Sequence, residues 1–190
     1  FVTRYRGEEG YEQSVFERFG VAEPFTIGEG ERREIPVEFT VPYGTPLTKG
    51  SVKVWLKTGL DIDWAVDPSD EDQLDVGPGP RLQGVLDAMD QLGFGLRTVV
   101  NEEFETRYTP LPFVQRFAFR GGSGSLAGKL DEVVLRPIQA EGNADFVVLM
   151  SVDRLGDADT GDKRRARMSI ETDDADSIAD QLREEIERRV

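Results

Sequence analysis

The chain has 190 residues, 38% of them hydrophobic, with 37 acidic against 23 basic side chains and a net charge of −14. That is enough apolar content for one large or two small cores. It contains no cysteine and no histidine, so disulfides, thiolate zinc sites and the commonest general base and metal ligand are all ruled out.

The charge is also lopsided in kind. Lys49, Lys53, Lys57, Lys129 and Lys163 are the only lysines among the 23 basic residues; the rest are arginines. An acidic, lysine-poor surface stays hydrated and dispersed in molar salt, where charge repulsion reaches only ~3 Å. The expectation is a halophilic, archaeal protein. No basic stripe exists to displace counterions from nucleic acid or an anionic bilayer. No apolar run approaches the ~20 residues of a spanning helix and no leader pattern opens the chain. A cytoplasmic protein without direct membrane insertion is expected.

In chain order, Ile35, Val37, Phe39 and Val41 alternate with polar residues, the period of a half-wet strand. Val52, Val54 and Leu56 alternate in the same way with Lys53, Trp55 and Lys57. A Thr58-Gly59 break, a second short strand and an acidic Asp67-Pro68 turn follow. After Gly77-Pro78-Gly79-Pro80, the residues Leu82, Val85, Leu86, Met89 and Leu92 fall at helical spacing, with Pro80 suited to the first turn and Gly93 to the stop. Phe117 and Phe119, Val133 and Leu135, Phe146 to Val152, and Ala166 to Ile170 continue the strand pattern between glycine-rich turns. A last helix opens near Asp173 or Asp174 and spaces Ile178, Leu182 and Ile186 one turn apart. Many short strands read as mainly β, of sandwich type. The first helix divides them into an N-terminal set over 1–79 and a C-terminal set over 94–190, with 80–93 as the connecting helix. The narrow stripe of the last helix either packs on its own domain or pairs with a second copy as a homodimer seam.

Candidate chemical sites are weak. Gly121 to Lys129 ends in Gly-Lys like a phosphate loop, but Ser123 stands for the first glycine and Leu130 for the magnesium-binding hydroxyl, so a hairpin turn explains it better. Neither Ser123 nor Ser125 has the glycine spacing of a nucleophile elbow, and no histidine exists to activate one. Asp61, Asp63, Asp67, Asp70 and Asp72 form an acidic cluster whose ends match a calcium loop, yet Ala65 and Val66 occupy a ligand position and the required glycine. Asp157, Asp159 and Asp162 form a second cluster with glycine and aspartate reversed. Both read better as solvated acidic loops, with a calcium- or carbohydrate-binding module as the alternative. A carboxylate pair for glycoside hydrolysis has no spacing to single it out. Trp55 and Trp64 are interaction candidates. Trp55 lies on the wet face of its strand, where it either marks a contact surface for a partner or, the reading preferred, is covered by the neighbouring domain or by N-terminal strands that the chain is expected to lack.

The run Thr58-Gly59-Leu60-Asp61-Ile62, then Ala65-Val66-Asp67-Pro68-Ser69-Asp70, resembles the sporulation-control family (SpoOM). Glu23-Pro24-Phe25-Thr26-Ile27, Ile35-Pro36, Thr45-Pro46-Leu47, Leu92-Gly93-Phe94, Leu111-Pro112-Phe113-Val114-Gln115 and Leu130-Asp131-Glu132 follow in the family's order. The resemblance implies two tandem arrestin-like β-sandwich domains, with a connecting and a C-terminal helix, and a non-enzymatic regulatory or scaffold role. Such a protein takes partner proteins and no cofactor. Compared with that family the chain is expected to lack the opening strands, and its loop Asp157 to Asp162 is expected to be shorter. The process of sporulation does not carry over to a halophilic archaeon.

Overall fold

The computed structural model describes residues 1–59, 69–105, 107–139, 146–154 and 164–190. Among these it is mainly β, with nine strands and two α-helices. The N-terminal strands are β1 (Val2–Arg6), β2 (Tyr11–Val15), β3 (Val54–Gly59) and β4 (Ser69–Leu74). Helix α1 (Pro80–Gln91) precedes an antiparallel meander of β5 (Phe94–Glu103), β6 (Phe113–Gly121), β7 (Leu130–Gln139), β8 (Phe146–Arg154) and β9 (Arg164–Ile170), and helix α2 (Ala175–Glu187) follows it. The hydrogen-bonded order is β4-β3-β1-β5-β6-β7-β8-β9, with β2 also on β1.

Strand β1 is the hub of this path. It pairs antiparallel with β2 from Val2↔Val15 to Arg6↔Tyr11, and with β3 at Val2↔Trp55 and Thr3↔Val54. Its far end meets β5 in parallel at Arg6↔Glu102 alone. So few backbone pairs join the two strand sets that side chains must supply the rest of the joint.

The core lies over the meander. Phe117, Phe119, Val133, Leu135, Val148 and Met150 form one buried cluster with Val85 and Met89 of α1 and Ile178, Leu182 and Ile186 of α2. Helix α1 therefore connects the strand sets in sequence while packing on the C-terminal one. The stripe of α2 is wholly buried inside this chain, so it is not a free seam for a second copy. Its width is set by a sheet beneath it, which satisfies apolar side chains as well as a partner helix does. Leu47 and Val52 also enter this core from the N-terminal side.

The helix ends follow their signals. Pro80 stands at the start of α1, and Gly93 closes it at φ +79°, a conformation L side chains avoid. The loop Gly121-Gly122-Ser123 then caps that helix, as Gly122 N donates to Gly93 O and Ser123 N to Leu92 O. It is the hairpin turn expected, with a short 3-10 turn over Gly124–Leu126. Asp174 caps α2, its Oδ2 accepting from Ser177 N at 2.9 Å, and that bond holds the carboxyl below its ordinary pKa. Asp174→Ala is expected to lower the melting temperature by a few degrees. A depressed pKa makes the cap's contribution present above the ordinary carboxylate value and lost as pH falls through the folded one. Melting curves of both proteins should therefore converge in acid.

One expected strand is not found. Ile35 to Val41 belongs to no sheet, and Val37, Phe39 and Val41 are 44%, 38% and 50% exposed. Pro36 removes one backbone donor from this run and Pro42 stops it, and no described strand lies alongside to bind the others. Alternation alone does not make a strand without that neighbour. Phe39 instead packs edge-on to Phe1 at 5.4 Å and tilted on Phe19 at 5.7 Å.

Candidate interaction surface

Two side-chain devices hold the two strand sets together, and another braces the N-terminal set where it leads into α1. Gln115 of β6 is buried and clasps the backbone of Leu47, whose N–H donates to Oε1 at 2.9 Å while Nε2 donates to Leu47 O at 2.8 Å. Thr48 ties the same segment to the approach of α1, through Thr48 N to Val76 O, Val76 N to Thr48 Oγ1 and Thr48 Oγ1 to Asp75 Oδ1. Asn101 of β5 makes the second joint between the sets. Its Nδ2 donates to Thr3 Oγ1 at 3.0 Å and to Arg4 O at 3.1 Å, and Thr3 Oγ1 passes the chain on to Lys53 O.

Above the Asn101 joint lies an open cavity of about 300 Å³, lined by residues of β1, β2, β3 and β5. Trp55 forms one wall and is half-buried, with the Arg4 guanidinium 5.6 Å from its ring centroid. Trp55 is thus covered in part by its own chain and also lines the cavity. Tyr11, 74% exposed, stands at the rim.

A second ring chain runs beneath β1. Tyr5 stacks on Phe113 at 5.6 Å, and its hydroxyl donates to Glu12 Oε2 at 2.5 Å. That bond, then burial and the charges of Glu12 and Glu103, push the Tyr5 phenol up to about 12. A raised pKa means the bond's contribution is complete below pH 10 and disappears as pH climbs toward 12. In a tyrosinate absorbance titration Tyr5 is expected to ionise well after Tyr108, which Arg107 holds below the usual range. Glu12→Gln should return Tyr5 toward 10.

Across β5, β6 and β7 runs an ion network. Glu102 accepts from Arg136 at 2.7 Å and lies 3.8 Å from Arg116, which binds Glu132 at 2.5 Å. It stiffens the meander and offers no open acid or base.

Of the other candidates, Asp70 and Asp72 lie on the exposed strand β4, opposite Thr58 and Leu56. Among the described residues no group of three or more acids is placed to hold a metal ion. Asp61, Asp63, Asp67, Trp64, Asp157, Asp159 and Asp162, and the short strand after Gly59, lie outside the described residues. The residues that shape the cavity, Arg4, Tyr11 and Asn101, were not singled out from the sequence. Asn101 did carry a signal, as a lone amide closing the apolar pair Val99-Val100.

The family model described as SpoOM protein matches residues 1–156. The chain belongs to the SpoOM family. Its similarity to the sporulation-control protein spo0M of Bacillus subtilis (strain 168) is 37% identity over 147 residues, 77% of this chain and 56% of that protein. The chain thus spans little more than half the length of the curated relative it matches. The crystal structure of Spo0M from Bacillus subtilis superimposes with a TM-score of 0.84 at 30% identity, over all of this chain and 82% of that one. The mainly β, arrestin-like fold expected of SpoOM proteins is the fold found. No described helix is long and apolar enough to cross a membrane.

Proposed function

We propose that this SpoOM protein is a non-enzymatic regulatory or scaffold protein of the cytoplasm that binds partner proteins on arrestin-like sandwiches. The observation that carries the reading is Trp55. It is half-exposed beside Arg4 in an open cavity at the joint of the two strand sets. Trp and Arg are the residue types enriched where a few side chains dominate protein–protein affinity. The chain has no histidine or cysteine to serve as imidazole base or thiol nucleophile, and the relative's designation as a sporulation-control protein favours regulation. The acidic, lysine-poor composition supports a halophilic, archaeal setting, in which the regulated process differs from sporulation. A melting temperature that rises from dilute buffer to molar KCl tests that setting.

Partner binding is tested by placing a photo-crosslinking residue at Tyr11 in the full chain and irradiating it in extract of the source cells at molar salt. One or two discrete adducts are expected, reduced about tenfold or more by Trp55→Ala. Adducts that are absent, or unchanged by Trp55→Ala in a protein that still melts cooperatively, would overturn the reading.

A further inference from the structure

Strand β9 ends the hydrogen-bonded order, with β8 on one side and no described strand on the other. An edge of this kind presents a row of backbone N–H and C=O groups to which another strand can add. Here α2 lies along it. Gln181 Nε2 donates to Ser169 O at 3.3 Å, and Arg189 Nε donates to Arg165 O at 3.2 Å. Two carbonyls four residues apart in a strand face the same edge, about 13 Å from one another. Eight helical residues advance about 12 Å, so α2 matches the strand level for level while running the opposite way. Arg164 returns the contact, its Nη1 donating to Arg189 O. The residues that reach β9 belong to a stripe of their own. Gln181, Glu185 and Arg189 repeat every four residues and are half-buried, beside the buried Leu182 and Ile186. Glu185 makes no hydrogen bond to β9 among the described residues. Its Oε2 accepts from Arg189 Nη1 at 2.6 Å, which makes it a positioning residue for the guanidinium that does reach the strand.

Charge indicates which strand this edge would otherwise take. β9 opens Arg164-Arg165-Ala166-Arg167 in a chain of net charge −14, and Arg165 and Arg167 are exposed. Like charges set opposite one another disfavour a second β9. At the other end of the same order stands β4, which among the described strands pairs with β3 alone. Its Asp70, Glu71 and Asp72 are exposed, and Glu71 lies 3.4 Å from Lys57. Arg165 and Arg167 are two apart on one face, as Asp70 and Asp72 are on theirs. A single register therefore sets both arginines against both aspartates. Joining the last strand of one sheet to the first of the next is a head-to-tail contact, which builds rings or open fibres instead of a closed dimer. We propose that α2 is a guard on the β9 edge, and that the strand it excludes is β4 of a second copy. The helix thereby keeps a sheet with one basic and one acidic edge from polymerising.

The test is the full chain carrying Gln181→Ala and Arg189→Ala together, compared with the unchanged chain by sedimentation velocity over a concentration series. The salt is set to the lowest at which both melt cooperatively, so that charge attraction is screened least. The double variant is expected to form species larger than a dimer, with an association constant about tenfold or more above the parent's. Gln181→Glu keeps Arg189 in place and sets a carboxylate against Ser169 O, so it should open the same edge even if the double variant does not fold. Adding Asp70→Lys and Asp72→Lys to either variant should restore the parent's sedimentation. Arg183→Ala, which removes the ion pair with Asp180 on the same helix, should sediment as the parent does. Folded guard variants no more associated than the parent would overturn the proposal. Equal association of Arg183→Ala would overturn it too, since a weakened helix alone would then suffice. Association that stops at a dimer, or that survives both lysine substitutions, would overturn the assignment to β4.

Discussion

Gly84→Ala is expected to destabilise the protein, against the usual effect of that change in a helix. Gly84 is a buried position inside α1, where alanine ordinarily gains about 1 kcal/mol of helix propensity. Here a Cβ would lie 2.5 Å from Asp173 O and 2.9 Å from Ile178 Cδ1. The first of these is backbone, at the residue before the cap of α2, so relief requires moving the start of that helix. Overpacking of this kind costs about 1–3 kcal/mol, at the upper end when backbone must shift. A net loss of about 2 kcal/mol follows, or roughly 4–8 °C in melting temperature for a domain of this size. Ile178→Val removes Cδ1 but not the carbonyl, so the double variant should recover nothing. If Gly84→Ala raised the melting temperature, the two helices would pack less closely than the structure has them.

That contact illustrates which parts of the fold were legible in the sequence. Both helices were, because Leu82 to Leu92 and Ile178 to Ile186 repeat at 3.6 residues and their caps are local: Pro80, Gly93 and Asp174 act within one turn. The meander was legible from period-two runs between glycine turns. What failed, or went unseen, depends on distant partners. Ile35 to Val41 has the alternation of a strand and no strand beside it. The stripe of α2 reads the same whether a sheet or a second helix lies against it. At the cavity, Trp55 drew notice as an aromatic between two lysines. Arg4 and Asn101 did not, because residues 97 apart are brought together by a parallel contact of β1 with β5, and no local pattern encodes that pairing. The acidic loops that drew most chemical interest from sequence lie, apart from Asp70 and Asp72 on the exposed strand β4, outside the described residues.

The Gln115 clasp follows the same logic, and its removal is expected to have the larger structural consequence. Gln115→Leu keeps the volume of the side chain but offers neither donor nor acceptor to Leu47. Leu47 is itself buried, so its N–H and C=O would be left unpaired in place. Each unmade buried group costs about 1–3 kcal/mol, and with partial relaxation the sum is about 3 kcal/mol, or roughly 6–12 °C in melting temperature. Gln115→Glu separates the two halves of the clasp. Its carboxylate still accepts from Leu47 N–H, but it places a charge against Leu47 O in a buried site, so it should be no better than leucine near neutral pH and improve in acid as it protonates and regains a donor. The damage should spread along the joint. Leu47 is a core residue, and Thr48 anchors Val76 just ahead of α1, so freeing this segment loosens the approach to that helix as well. Amide exchange at Thr48 and Val76 should rise together in Gln115→Leu, while β8, two strands along from β6 in the meander, stays protected. Exchange confined to Leu47 would mean that the two strand sets are held mainly by Asn101 and Thr3. The cavity at Trp55 would then be the joint on which their relative position depends, and a partner bound there would act on the whole protein through it.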